Sequence, residues 1–329
     1  MRQNGNNTEA HQRLIMDQFT KQAVPFSQMP DHSPDLILAA TEVGPTDTVL
    51  DVACGPGVLA CAFAQVARHV TGIDLTPAMI DRAEAFQHSH SLANLTWKLG
   101  HVLPLPFPDA SFSLVFTRYS FHHLLDPEAV LAEMVRVCSP GGRVAVVDVF
   151  TSSLEQAEAF NRMEKLRDPS HVRALSLEEL SGLLGEAGLQ SVRRQFYKHE
   201  FGLEPVLKGS FPNPGDAERI RHMFEDDLAW TAWALGSTAG MGTFTSPTPS
   251  SSSSATSHPG RSALGEGEWR TRTDRPPMRW SLARTARSPP CEGRRVWSAC
   301  PVAVLCQASA QKRRWYVRSV KNWPAAYGW

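Results

Sequence analysis

Short runs of β-branched residues alternate with segments of helical periodicity between residues 47 and 149 of this 329-residue chain. The expected strands are 48–52, 69–73, 95–99, 112–116 and 143–149, followed by a sixth over 191–197. Alternation of this kind is typical of βαβ units, in which helices cover both faces of a parallel sheet. The sequence therefore predicts an α/β fold with a doubly wound, mostly parallel sheet.

Capping residues mark where the intervening helices begin. Thr76-Pro77 and Asp126-Pro127 each place a capping side chain before a proline at the first helical position. Ser176 and Glu179 form a capping box that opens a helix expected over 177–187. These signals support the helix positions that the alternation requires.

Charge divides the chain into two parts. The 33 basic and 33 acidic residues balance overall, but residues 1–236 hold 19 basic and 29 acidic ones, which leaves 14 basic and 4 acidic residues beyond. A serine run over 250–254 follows the change in composition. We predict a folded domain over 1–236, with a helical lid over 1–45, and a low-complexity basic tail over 237–329. Either the tail binds a polyanion, or it is non-native sequence such as an unspliced intron or an out-of-frame end; the second is favoured.

The remaining composition narrows the class of protein. The amino terminus is polar, and no apolar stretch approaches the roughly 18 residues that a transmembrane helix requires. The six cysteines include no CxxC pair, so neither a metal site nor a disulfide framework is expected. We expect a soluble, cytoplasmic protein without a membrane span.

A glycine turn follows the first expected strand and carries the most specific chemistry. In Asp51-x-Ala53-Cys54-Gly55-x-Gly57, the glycines allow backbone N–H groups at a helix start to approach an anionic ligand. Asp74 ends the second expected strand, where its carboxylate could accept both hydroxyls of a ribose. Taken alone, the glycine spacing also fits a dinucleotide-binding fingerprint.

Together these motifs resemble those of the class I S-adenosylmethionine-dependent methyltransferases. The turns at 105–112 (LPFPDASF) and 139–142 (SPGG) are similar to those of the ubiquinone/menaquinone-methyltransferase-like branch. The resemblance extends over about residues 10–235. It implies a Rossmann-like fold, S-adenosylmethionine as cofactor, and methyl transfer to a small molecule.

The resemblance also implies a set of cofactor-binding residues. They are Asp51, Ala53, Cys54, Gly55, Gly57, Asp74, Leu75, Met79, His101, Val102 and Thr117. His101 stands where the family usually has an aspartate that bonds the adenine amino group. A neutral imidazole can accept one hydrogen bond there, so we expect reduced or pH-dependent affinity.

Polar residues that follow the fourth and fifth strands are candidates for catalysis. His122 or His123 could remove a proton from the methyl acceptor, and Asp148 faces the same crevice. His123 matches a family position and is preferred, although a packed or helix-capping imidazole is an equal alternative for each.

A second polar group is a candidate for substrate binding. It comprises Arg118, Glu164, Arg167, Asp168, His171 and Arg173. If these residues line the pocket, the arginines would hold an acidic or phenolic substrate by charge-assisted bonds. The alternative is a solvated helix face with ion pairs.

Two other functions remain open. An NAD(P)-dependent oxidoreductase could use the same glycine turn, although Asp51 and the two family turns argue against it. The second open alternative is a non-catalytic, truncated methyltransferase-like protein, because no antiparallel seventh strand follows the helix expected over 216–235. The nearest candidate strand, 301–305, is displaced by about 60 residues. Nucleic acid binding is expected only through the tail, and the oligomeric state is left open.

Overall fold

Strands and helices alternate along the chain as predicted. The computed structural model describes residues 2–28, 34–151, 154–189, 191–197, 199–230, 238–239, 295–299 and 301–307. Its strands are β1 Thr48–Val52, β2 His69–Asp74, β3 Leu95–Leu99, β4 Phe112–Arg118, β5 Cys138–Thr151, β6 Leu175–Ser176, β7 Ser191–Phe196, β8 His199–Gly202, β9 Thr238–Ala239, β10 Arg295–Ala299 and β11 Pro301–Gln307.

The helices lie before and between these strands. They are α1 Arg2–Gln28, α2 Pro34–Thr41, α3 Val58–Ala64, α4 Pro77–Ser89, α5 Pro127–Val137, α6 Leu154–Arg167, α7 Leu177–Glu186, α8 Leu203–Gly209 and α9 Asp216–Trp230, with a 3₁₀ turn at Phe121–His123. The capping box of α7 is present, and the side chain of Asp126 caps α5 by accepting from the N–H of Ala129. Thr76 occupies the N-cap position of α4 without a side-chain cap bond.

The main sheet has the strand order β3-β2-β1-β4-β5-β11-β7. The first five strands are mutually parallel. Because the chain starts at β1 and winds outward in both directions, the carboxyl ends of β1 and β4 meet where the strand order reverses. Open α/β sheets bind their ligands at such a position.

Strand β11 is antiparallel to both of its neighbours, β5 and β7. It contains the candidate strand 301–305, so residues 301–307 belong to the sheet. This corrects the prediction of a tail over 237–329 for these residues, because composition carries no information on long-range strand pairing. The serine run and most of residues 237–295, where the non-native sequence was expected, lie outside the described residues.

Each face of the sheet is covered by a separate apolar core. On one face α5 and α7 pack against the strands through residues such as Met134 and Leu180, both fully buried. On the other face α2 and α3 contribute Ile37 and Phe63, and the Phe63 ring meets Phe116 edge-on with centroids 5.0 Å apart. The doubly wound α/β prediction is confirmed.

Helix α1 spans Arg2–Gln28, with Pro25 inside it, and lies within the interval 1–45 that was predicted to be a helical lid. Its residues Ala23, Gln18 and Gln22 are buried against the rest of the fold. None of the described helices is long and apolar enough to cross a membrane.

Candidate active site

The glycine turn between β1 and α3 has the left-handed backbone that its sequence predicts. Ala53, Gly55 and Gly57 have φ values of 56°, 53° and 78°. A Cβ on Gly57 would lie 2.7 Å from the Cβ of Ala83, so this glycine permits the close approach of α4. A Cβ on Gly55 would meet no atom within 4 Å, so the turn keeps one flank open.

Asp74 joins this turn to the end of β2. Its Oδ2 accepts from the N–H of Gly55 at 2.9 Å, and its Oδ1 accepts from the N–H of Thr76 at 2.8 Å. Burial raises the pKa of Asp74, although these backbone bonds oppose the shift. The carboxylate thus holds two strand-to-helix turns together at the carboxyl edge of the sheet.

Asp51 lies beneath the turn and is almost fully buried. Burial raises its pKa to about 7; the guanidinium of Arg118 opposes the shift and Asp74 adds to it. A cationic ligand group placed beside Asp51 would favour its ionised form. This end of the site therefore suits a ligand that carries an ammonium or sulfonium group.

One cavity of about 500 Å³ extends from the glycine turn to the histidines that follow β4. It brings together most of the predicted site residues: Asp51, Ala53, Cys54, Gly55, Asp74, Leu75, Met79, His101, Val102, Arg118, His122, His123, Glu164, Arg167 and Asp168. The predicted residues outside its lining are Gly57, Thr117, Asp148, His171 and Arg173.

These five have structural contacts instead. Gly57 packs under α4, and the hydroxyl of Thr117 donates to the carbonyl of Val52 at 2.7 Å. His171 is buried, and its Nε2 donates to Asn161 Oδ1 at 2.8 Å. Arg173 is about half exposed and pairs with Glu179 at 2.8 Å, so it is not brought into the cavity. Asp148 acts on the cavity through a neighbour.

That neighbour is His122, which forms a buried pair with Asp148. The distance from His122 Nδ1 to Asp148 Oδ1 is 2.5 Å, and Asp148 Oδ2 also accepts from the N–H of Phe121 at 2.7 Å. Burial lowers the pKa of His122, but the charge and hydrogen bond of Asp148 outweigh it, so the net pKa lies above the ordinary value. The carboxylate holds the proton on Nδ1 and leaves Nε2 as the basic atom.

His123 has a different environment. Its Nδ1 lies 3.1 Å from both the carbonyl oxygen and the hydroxyl of Ser170. Burial and the adjacent His122 lower the pKa of His123, so its imidazole is neutral. The Ser170 hydroxyl in turn donates to Asp168 Oδ1 at 2.6 Å. His123 is therefore a fixed, weakly basic ring.

The charged residues predicted to bind substrate are bonded to one another. Arg167 donates from Nε and Nη2 to the two carboxylate oxygens of Glu164, at 2.9 and 2.6 Å, and from Nη1 to Ser210 Oγ at 2.8 Å. Asp168 Oδ2 accepts from Gln22 Nε2 at 2.9 Å. Glu164 and Arg167 form an ion pair as the alternative expected, but the pair is buried and lines the cavity instead of lying on a solvated helix face.

Helix α1 supplies a wall of the cavity that the sequence did not identify by residue. Ile15, Phe19 and Phe26 line the cavity, and the Phe19 ring lies 5.1 Å from that of His123. His11 Nε2 donates to the carbonyl of His123 at 2.7 Å. The sequence signal for this wall was the four-residue spacing of Ile15 and Phe19, since residues at that spacing share one helix face.

The residues at the glycine-turn end fit the cofactor implied by the family resemblance. The open flank of Gly55 gives a ligand access to the backbone, and Asp74 offers a carboxylate at the same edge of the cavity. Leu75, Met79 and Val102 add apolar surface beside them. His101, at the predicted adenine position, is exposed at the cavity wall.

Comparison with known proteins shows what the chain is similar to. A family model described as a methyltransferase domain matches residues 50–146. The uncharacterized methyltransferase YcgJ of Bacillus subtilis is 34% identical over 190 residues, which cover 57% of this chain and 75% of that protein. The 27-O-demethylrifamycin SV methyltransferase of Amycolatopsis mediterranei is 33% identical over 149 residues, or 44% of this chain and 54% of the relative.

Solved structures show the same fold. The structure of YcgJ matches with a TM-score of 0.64 and 20% identity, and covers 85% of this chain and 99% of its own. A Bacillus halodurans protein classed with the methyltransferases has the same TM-score at 18% identity, over 85% of this chain and 100% of its own. The 34% identity to YcgJ favours methyl transfer over the oxidoreductase alternative. By its identity to YcgJ over three quarters of that protein, the chain belongs to the class I S-adenosylmethionine-dependent methyltransferase family and is a methyltransferase.

Proposed function

We propose that the chain binds S-adenosylmethionine at the glycine-turn end of the cavity and methylates a small molecule at the histidine end. One observation carries this proposal: a single cavity connects Gly55 and Asp74 with the buried His122–Asp148 pair. A cofactor turn and a fixed proton acceptor that line one cavity are what methyl transfer requires. The volume of about 500 Å³ lies in the range of small-molecule sites.

Asp51, Gly55 and Asp74 are the residues that would hold the cofactor. When bound, S-adenosylmethionine supplies a methyl carbon on a sulfonium, which is already activated for in-line displacement. The protein then has to align the acceptor and exclude water. Helix α1 supports both tasks, because Ile15 and Phe19 close one side of the cavity.

We assign the proton acceptor to His122 rather than to His123, which the sequence favoured. Asp148 orients His122 and raises its pKa, whereas burial and His122 lower the pKa of His123. As an acceptor hydroxyl gains the methyl group, its proton passes to Nε2 of His122. A base of this kind contributes about 10²- to 10⁴-fold to the rate.

The class of the methyl acceptor is a separate part of the proposal. The small-molecule acceptor is supported by the cavity volume of about 500 Å³ and by the name of the Amycolatopsis relative, which specifies a rifamycin. The ubiquinone/menaquinone-like branch and the cytoplasmic location remain predictions. The truncated, non-catalytic alternative loses its premise, because β11 fills the antiparallel position between β5 and β7.

The proposal is tested by incubating the full chain with methyl-labelled S-adenosylmethionine and a library of small acceptors. We expect labelled product, and a fall of about 10²-fold or more in the His122→Ala variant. His88→Ala, which changes an exposed histidine on α4, serves as the matched control and should retain the wild-type rate. Equal rates for the two variants would remove His122 from the mechanism.

A further inference from the structure

The histidine end of the cavity has mainly apolar, aromatic walls. Phe19 touches the His123 ring edge-on, and Phe26 lies behind Phe19 with ring centroids 6.1 Å apart. Phe160 and Val206 line the cavity and share one apolar cluster. We call these four residues, together with His122 and His123, the acceptor end.

The charged groups that border the acceptor end already have hydrogen-bond or ion-pair partners within the protein. Arg167 is the one guanidinium that α6 presents to the cavity, and it is engaged in a two-point pair with Glu164. Its third nitrogen donates to Ser210. Asp168 is held by Gln22 and Ser170. Arg118 also lines the cavity, but it acts on Asp51 beside the glycine turn.

This arrangement disfavours a charged acceptor. An anionic substrate would have to displace Glu164 from Arg167 in a buried setting, while Asp148 and Asp168 add negative charge nearby. A cationic substrate would have to lose its hydration and compete with the protein donors that already occupy the carboxylates. An apolar body, in contrast, gains by contact with Phe19 and Phe160.

On the basis of the proposed function, we propose that the methyl acceptor is an uncharged molecule with a mainly apolar body. This narrows the acidic or phenolic class expected from the sequence to its uncharged members. The arginines that suggested an acidic substrate do not serve it: Arg167 is paired inside the protein, and Arg173 pairs with Glu179 at the surface.

The test measures binding rather than turnover. Three phenols of increasing size (phenol, 2-naphthol and 4-phenylphenol) are each compared with a carboxylate and an aminomethyl derivative by calorimetry. The full chain is first saturated with S-adenosylhomocysteine. We expect at least one neutral phenol to bind at least tenfold more tightly than both charged derivatives. A charged derivative that binds as tightly as its parent, or no binding by any neutral phenol, overturns the inference.

The first titration separates the two proposals. If S-adenosylhomocysteine itself does not bind, the proposed function fails; if it binds and the probe order is wrong, only the substrate class fails. The Glu164→Gln variant releases Arg167 from its charged partner and should reduce the preference for the neutral probe to about threefold or less. Glu158→Gln, at an exposed position of the same helix, should keep the wild-type preference.

Discussion

The buried His122–Asp148 pair makes a pH-dependent contribution to stability that a single substitution should reveal. Asp148→Asn preserves shape but removes the carboxylate charge. Because the folded-state pKa of His122 is raised, the charged pair stabilises the protein fully below the unfolded pKa of about 6.5, and this stabilisation is lost as the pH rises through the folded pKa. The substitution should therefore cost most in acid.

The expected magnitude follows from the burial of the pair, whose side chains are 9% and 4% exposed. Breaking a buried ion pair costs about 3 kcal/mol or more. With a neutral imidazole the same contact is an ordinary hydrogen bond worth about 1 kcal/mol. We expect the loss in unfolding free energy to be about 2 kcal/mol larger at pH 6 than at pH 9, or roughly 30-fold in the unfolding constant.

Urea denaturation of the wild type and the variant at both pH values measures this difference. Hydrogen bonds from backbone N–H groups to Asp148 are also weakened, but their loss is common to both pH values and cancels. Asp81→Asn, at an exposed position on α4, is the control and should lie within about 0.5 kcal/mol of the wild type at each pH. An equal loss for Asp148→Asn at pH 6 and pH 9 would refute a charged pair.

Three further substitutions and one truncation test other parts of the account. Gly55→Ala should cost about 1 kcal/mol of stability, because φ is positive at this residue, and should reduce the affinity for S-adenosylhomocysteine at least tenfold. Gly57→Ala should destabilise the fold by about 2 kcal/mol or more in urea denaturation. Arg173→Ala should change the free energy of unfolding by less than about 0.5 kcal/mol and should leave the ligand affinity measured by calorimetry unchanged. A tenfold weaker affinity would show that Arg173 contributes to ligand binding. A chain that ends at residue 236 lacks the strand at 301–307 and should lose cooperative unfolding, whereas an unchanged denaturation curve would contradict the pairing of β11.

Local patterns in the sequence predicted the first half of the fold well. Strands β1 and β3 have the expected bounds, and β2 and β4 extend one and two residues further. The capping box at Ser176 and Glu179 was recognisable because all its contacts lie within one helical turn. Likewise, the glycine turn is legible because its geometry depends on residues that are neighbours in the chain.

Contacts between distant residues could not be predicted in the same way. Asp148 lies 26 residues from His122, and Asp168 lies 146 residues from Gln22. Arginine is expected to bind acidic ligands unless a carboxylate of the protein already occupies it, and only the folded structure shows that Glu164 does so. The pairing of β11 could not be predicted for the same reason, since its partner residues are more than 100 positions away in the chain.

The central claim is that Gly55 and Asp74 form the cofactor end of a catalytic cavity. The most direct measurement is calorimetric titration of S-adenosylhomocysteine into the full chain, its Asp74→Asn variant and the Asp81→Asn control. The account predicts binding at micromolar concentration or tighter by the wild type and the control, and at least tenfold weaker binding by Asp74→Asn with its fold intact by circular dichroism. Absence of binding by the wild type, or equal affinity in all three, would contradict it.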